Sequence, residues 1–128
     1  MTVNQIMLYA VSAFILYLFI KKFIQRARMK EYSPKQVAGM LNDDSVILLD
    51  VRSREERNHQ RIEGSLHIPV HEIAQKLNSL EKYRGKEIIC YCHSGRRSMA
   101  AASILTKHGF IAANMKGGMV EWNSLNLL

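Results

Sequence analysis

Both cysteines of the chain fall inside one stretch of nine residues, CYCHSGRRS at positions 90–98. A thiol beside a glycine and two adjacent arginines suits four chemistries: a redox pair, a metal knuckle, an anion-binding loop or a nucleophilic cysteine. Spacing separates them. Cys90 and Cys92 lie two residues apart, about 6.6 Å along an extended strand, whereas a disulfide prefers α-carbons about 5.5–6 Å apart. A bridge between them is strained. A zinc knuckle built on Cys90, Cys92 and His93 lacks the two- to four-residue gap that lets a turn wrap the ion, and would need His67 or His71 as a further ligand. No metal and no organic cofactor is expected.

The remaining chemistries belong together. If a strand ends at Cys92 and a helix starts near Ser98, the backbone N–H groups of 93–98 curl into a nest that points at one atom. The helix N-terminus adds positive potential, and so do Arg96 and Arg97. All three favour the thiolate over the thiol, whose free pKa is about 8.5. Gly95 permits a turn with positive φ, and Ser98 is a good N-cap. Cys92 therefore reads as the nucleophile. Cys90, on the same face of the same strand, reads as a small apolar residue packed in the sheet.

The elements that must hold this loop are visible on either side. Ser33-Pro34 is a helix start, with Val37, Met40 and Leu41 forming its apolar face. Ser45–Val51 is a continuous apolar run, the pattern of a strand covered on both faces of a parallel sheet. Ser53–His59 is a short charged helix, and Leu66–Ile68 ahead of Pro69 is a short extended piece. Ile73, Leu77 and Leu80 predict an amphipathic helix over 71–80. Ile88–Tyr91 is a second buried strand, Ser98–Lys107 a helix stopped by His108-Gly109, and Ile111–Met115 a further strand. Gly117-Gly118 turns into a last helical segment carrying Trp122. Strands alternating with helices predict a single α/β domain with a mainly parallel central sheet and right-handed crossovers.

The chain of 128 residues has a net charge of +7, which at first suggests nucleic acid. Its distribution argues otherwise. Residues 1–30 carry five basic residues and no acid, while the rest carries 13 basic and 11 acidic residues. The body is nearly neutral and shows no basic groove with interleaved aromatics. The excess lies beside an uncharged run, Ile6–Ile20, extended by Val3 before it and by Phe23 and Ile24 after it. Spanning a bilayer takes about 20 apolar residues. A signal peptide would have its bases ahead of the apolar run and a small-residue cleavage site after it; a soluble core helix would have a polar face. We read 1–24 as a transmembrane helix, with membrane contact through 3–24. Residues 25–32 are then a basic juxtamembrane linker and 33–128 the soluble domain. The bases after the span place the N-terminus outside and the domain in the cytoplasm of a single-pass cell-membrane protein.

Four marks in register now resemble the rhodanese (thiosulfate sulfurtransferase) homology domain, over roughly Ser33 to Asn126. Leu48-Leu49-Asp50-Val51-Arg52 is similar to the family's strand ending in Asp-x-Arg. Ile62-Glu63-Gly64-Ser65-Leu66-His67-Ile68-Pro69 resembles its I-x-G-(Ala/Ser)-x-x-I-P segment. Cys92-His93-Ser94-Gly95-Arg96-Arg97-Ser98 resembles its active-site loop, and Gly117-Gly118 with Trp122 its usual ending. Where the family often has an aromatic residue and then Gly-His, this chain has Arg57, Gln60 and Arg61, expected at the surface of the short helix.

The resemblance implies an enzyme that carries sulfane sulfur on Cys92 as a persulfide. The donor would be thiosulfate or a persulfide, on a small molecule or a partner protein, and the acceptor a thiol or cyanide. The N–H groups of 93–97 would stabilise the terminal sulfur, and Arg96 and Arg97 would attract an anionic donor. Asp50 and Arg52 would support the neighbouring loop by ion pairing. Two alternatives stay in view. Cysteine phosphatases place an arginine six residues after the cysteine; here that residue is Ser98, and Arg97 is the fifth. The loop is one residue short for a phosphoryl group. A membrane-tethered binding module without turnover is the other alternative.

Overall fold

The computed structural model describes residues 1–125, apart from the side chains of residues 25–27. Residues 126–128, the end of the expected domain, and the Arg26 side chain in the linker lie outside that description. Helix α1 (Val3–Ala27) comes first. Its Val3–Ile24 stretch is long and apolar enough to cross a membrane, and none of it is buried.

The rest is an α/β domain. Strands β1 (Glu31–Tyr32), β2 (Val46–Asp50), β3 (Leu66–His67), β4 (Glu87–Tyr91) and β5 (Ile111–Met115) form one sheet in the order β1-β5-β4-β2-β3. Every described pairing is parallel. The first strand is a departure from the sequence reading, which placed Glu31 and Tyr32 in the linker. They pair with Asn114 and Met115, so the sheet begins where the linker was expected to continue. A two-residue edge strand has no apolar period to betray it.

Helix α2 (Pro34–Met40) starts as expected: Ser33 caps it, with Gln36 completing a reciprocal capping box. Helix α3 (Arg54–His59) repeats the device with Ser53 and Glu56. Helices α4 (Arg96–Lys107) and α5 (Gly118–Ser124) complete the set. The expected amphipathic helix over 71–80 is instead two 3₁₀ segments, Val70–Gln75 and Leu77–Tyr83. The Lys76 N–H is shared between the carbonyls of Glu72 and Ile73, and the chain turns there with φ −113°. Ile73 and Leu80 still reach the core, because their spacing satisfies either kind of turn.

Side chains alternate along β4 and separate two cores. Ile88, Cys90 and Cys92 pack with Ala101, Ala102 and Leu105 of α4 on one face. Ile89 and Tyr91 pack with Val37, Met119 and Trp122 on the other. Both faces of the central strands are covered, as their unbroken apolar runs require.

Candidate active site

Parallel pairing puts the carboxyl ends of β2, β4 and β5 at one edge of the sheet, the edge where open α/β sheets hold their ligands. Cys92 follows β4 at that edge and is buried. Gly95, at φ +103°, turns the chain back over the sulfur and begins α4. Its N–H donates to Cys92 Sγ at 3.0 Å. The Ser98 hydroxyl lies 3.2 Å from the same sulfur. Burial alone would push the Cys92 thiol up. The Ser98 hydroxyl and the backbone N–H groups of Ser98, Gly95 and Ser94 outweigh it, and the pKa falls below the ordinary thiol value. Cys90 has no such donors. Burial, and then the nearby charge of Cys92, push its thiol far up.

Ser98 differs from its expected role. Gly95 occupies the N-cap of α4, and Ser98 sits inside the first turn, fully buried. Its hydroxyl is therefore free for the sulfur instead of being used on the helix end. His93 and Ser94 form the exposed lip of the loop.

The loop is fastened from α5. Met119 N–H donates to the Cys92 carbonyl at 2.9 Å, and Val120 N–H to the His93 carbonyl at 3.1 Å. Gly118, at φ +55°, leaves room for this approach: a Cβ there would run into the Cys92 carbonyl oxygen and lie 2.6 Å from the His93 carbonyl group. The Gly-Gly pair was visible in the sequence as a turn. Its grip on the backbone of Cys92 and His93 was not.

The two arginines part company. Arg97 is held by Glu56 in a two-point ion pair, at 2.6 and 2.8 Å. Glu56 also closes the capping box of α3. Hydrogen bonds from Arg97 hold the Glu56 carboxyl down at about 2 against its partial burial. Arg97 thus braces the loop against α3, whereas it was expected to reach for an anion. Arg96 is exposed beside Gly95, with no salt bridge among the described residues.

Beneath the loop, Asp50 is fully buried at the end of β2. Arg52 grips both its oxygens, at 3.0 and 2.9 Å, and lies over the Tyr91 ring at 5.5 Å. Arg57, expected at the surface, is a third member: it sits 3.3 Å from Asp50 and donates to the Ser65 hydroxyl and carbonyl at 3.0 and 2.7 Å. Ser65 Oγ lies 2.9 Å from the Tyr91 hydroxyl. Gln60, also expected at the surface, is half-buried and exchanges two hydrogen bonds with Asn123 of α5. Arg61 is exposed, as expected. The signal for Arg57 was its departure from the aromatic residue usual at that place, directly after the acid pair Glu55-Glu56.

A parallel α/β sheet with a donor-lined cysteine at its carboxyl edge has the form of an anion-binding loop on an open α/β sheet. The sequence profile of the Rhodanese-like domain matches residues 33–125, and the chain belongs to that family. It is 30% identical over 96 residues to a sulfurtransferase of Allochromatium vinosum, covering 73% of this chain and 88% of that one. It is 42% identical over 82 residues to Bacillus subtilis YrkF, whose name assigns it to sulfur carriage; this covers 63% of the present chain but only 43% of YrkF. A rhodanese-related protein of Thermoplasma volcanium has the same fold, with a TM-score of 0.69 and 27% identity over 75% of this chain and 92% of that one. These relationships place the chain among proteins of sulfur transfer in general.

Proposed function

We propose that the protein is a membrane-tethered, rhodanese-type sulfurtransferase working through a Cys92 persulfide. The observation that carries the reading is the pair of donors, Gly95 N–H and Ser98 hydroxyl, aimed at one buried sulfur. They favour the thiolate in the resting state and are placed to receive the negative charge of an added sulfur.

In the first half-reaction the Cys92 thiolate attacks the outer sulfur of thiosulfate. The new S–S bond forms as the S–SO₃ bond breaks, and its electron pair leaves on sulfite. In the second, an acceptor thiolate or cyanide attacks the outer sulfur of the persulfide, and the electron pair of the broken S–S bond restores the Cys92 thiolate. No proton donor or cofactor is required by this balance. A persulfide on a small molecule or on a partner protein can replace thiosulfate by the same attack. Arg96, exposed at the mouth, attracts the anionic donor. Arg97 keeps the loop in shape through Glu56.

The apolar α1 anchors the domain in the cell membrane as a single-pass protein. Lys21, Lys22, Arg26, Arg28 and Lys30 follow the span, which puts the N-terminus outside and the domain in the cytoplasm. Residues 1–24 are the span, 25–32 the connection and 33–128 the catalytic domain. The full chain in mild detergent, given thiosulfate and cyanide, tests the activity. Thiocyanate should form with parallel double-reciprocal lines, and Cys92→Ser should form none. Absence of turnover with every donor would favour the binding-module alternative.

A further inference from the structure

The end of α1 and the outer face of α4 enclose a cleft of about 650 Å³, lined by Lys22, Arg96, Lys107, Met29, Met99 and Ile104 among others. A second cleft of about 260 Å³ continues it past Met29, adding Arg28 and Lys30. Among the described residues no acidic side chain lines either one. Lys30 is satisfied by Glu87 at 3.1 Å. Among the described residues Lys22, Arg28, Arg96 and Lys107 take part in no salt bridge.

This grouping is not a by-product of a basic tail. Lys107 ends α4, far along the chain from Arg28. Met29 packs against the core that contains Cys92, and the Lys30 carbonyl accepts from Asn114 N–H at 2.9 Å. The domain is therefore fastened to the chain immediately after Arg28. Unpaired cations collect in an apolar-floored cleft, at the end of the one described helix able to cross a membrane. Like charges brought together without a counter-charge repel, so the arrangement calls for an anion with an apolar continuation. The volume suits a bound ligand, and basic clusters beside a span recognise anionic headgroups.

We propose that this double cleft is a docking site for the headgroups of anionic phospholipids in the membrane that α1 spans. Occupancy seats α4 on the bilayer surface, with Gly95 and Arg96 of the loop at the edge of the site. The inference rests on the membrane reading of α1 and is independent of sulfur transfer.

Native mass spectrometry of the full chain, released from zwitterionic detergent with added lipid, tests it. Phosphatidylglycerol should be retained at least about tenfold over phosphatidylcholine of the same chains. The double variant Arg28→Glu/Lys107→Glu should lose that preference, and Lys35→Glu, on α2 across the sheet, should keep it. If the double reversal lowers the melting temperature, the neutral pair Arg28→Gln/Lys107→Gln replaces it, with a reduced preference expected. Excess glycerol phosphate should leave the lipid in place. Equal retention of both lipids, an undiminished preference in the folded double variant, or displacement by glycerol phosphate would each overturn the proposal.

Discussion

Glu56 and Arg97 meet across 41 residues of chain in a two-point ion pair, with oxygens and nitrogens 2.6 and 2.8 Å apart. The contact joins the first turn of α3 to the first turn of α4, and so joins the Asp50 network to the cysteine loop. Glu56 serves two ends at once, since it also caps α3 through Ser53.

The pair makes stability depend on pH in a defined direction. Glu56 is held at about 2, below its ordinary 4.5. A carboxyl depressed in the folded state stabilises the fold above its unfolded pKa and loses that contribution as pH falls toward the folded one. Urea unfolding should therefore show a contribution constant above about pH 4.5 and fading toward about pH 2. Glu56→Gln should be less stable at neutral pH and should flatten this part of the profile. An unchanged profile in the variant would show that the pair contributes nothing.

The donors to Cys92 predict its reactivity. Alkylation by iodoacetamide should follow a titration below the ordinary thiol value of about 8.5. Removing the hydroxyl with Ser98→Ala should move that midpoint up and slow alkylation at pH 7 by about threefold to tenfold. Cys90, buried and raised, should stay unmodified in the folded protein. A Ser98→Ala variant that titrates like the wild type would remove Ser98 from the site.

Gly118 should not tolerate a methyl group. Gly118→Ala combines a left-handed backbone with a collision against the backbone of residues 92 and 93. The expected loss is about 3 kcal/mol in urea unfolding. Gly39, whose surroundings are open, is the control: Gly39→Ala in α2 should be neutral or slightly stabilising, by up to about 1 kcal/mol. Equal behaviour of the two variants would contradict the role given to α5.

The buried carboxylate predicts non-additivity. Arg52→Met leaves Asp50 with Arg57 as its one salt-bridge partner among the described residues and should cost about 3 kcal/mol. Adding Asp50→Asn should recover part of that loss, because the buried charge goes too. A double variant whose loss equals the sum of the singles would mean that Asp50 and Arg52 act separately.

Much of this site was legible in the sequence because it is local. Strand, cysteine, glycine turn and helix follow one another within twenty residues, and the apolar runs of β2, β4 and β5 need no partner to be recognised. Two kinds of feature escaped. One is competition for a single group: Ser98 suits a helix cap by type, yet Gly95 reaches the cap position first and leaves the hydroxyl to the sulfur. The other is tertiary pairing, which carries no sequence period. Arg57 is polar and helical, the pattern of a surface residue, until Asp50 is known to lie buried beneath it. Arg97 looks like a substrate ligand until Glu56 is seen across from it. Gly118 is a turn residue until the Cys92 carbonyl is placed against it.

The central claim is that Cys92 carries sulfur. The full chain, incubated with thiosulfate and in parallel with low-molecular-weight persulfides, then desalted and measured as intact protein and as peptides, answers it directly. The account predicts a gain of one sulfur, about 32 Da, on Cys92, absent in Cys92→Ser, and removed by cyanide or a thiol. An intact Cys92 that gains no sulfur from any of these donors would contradict it.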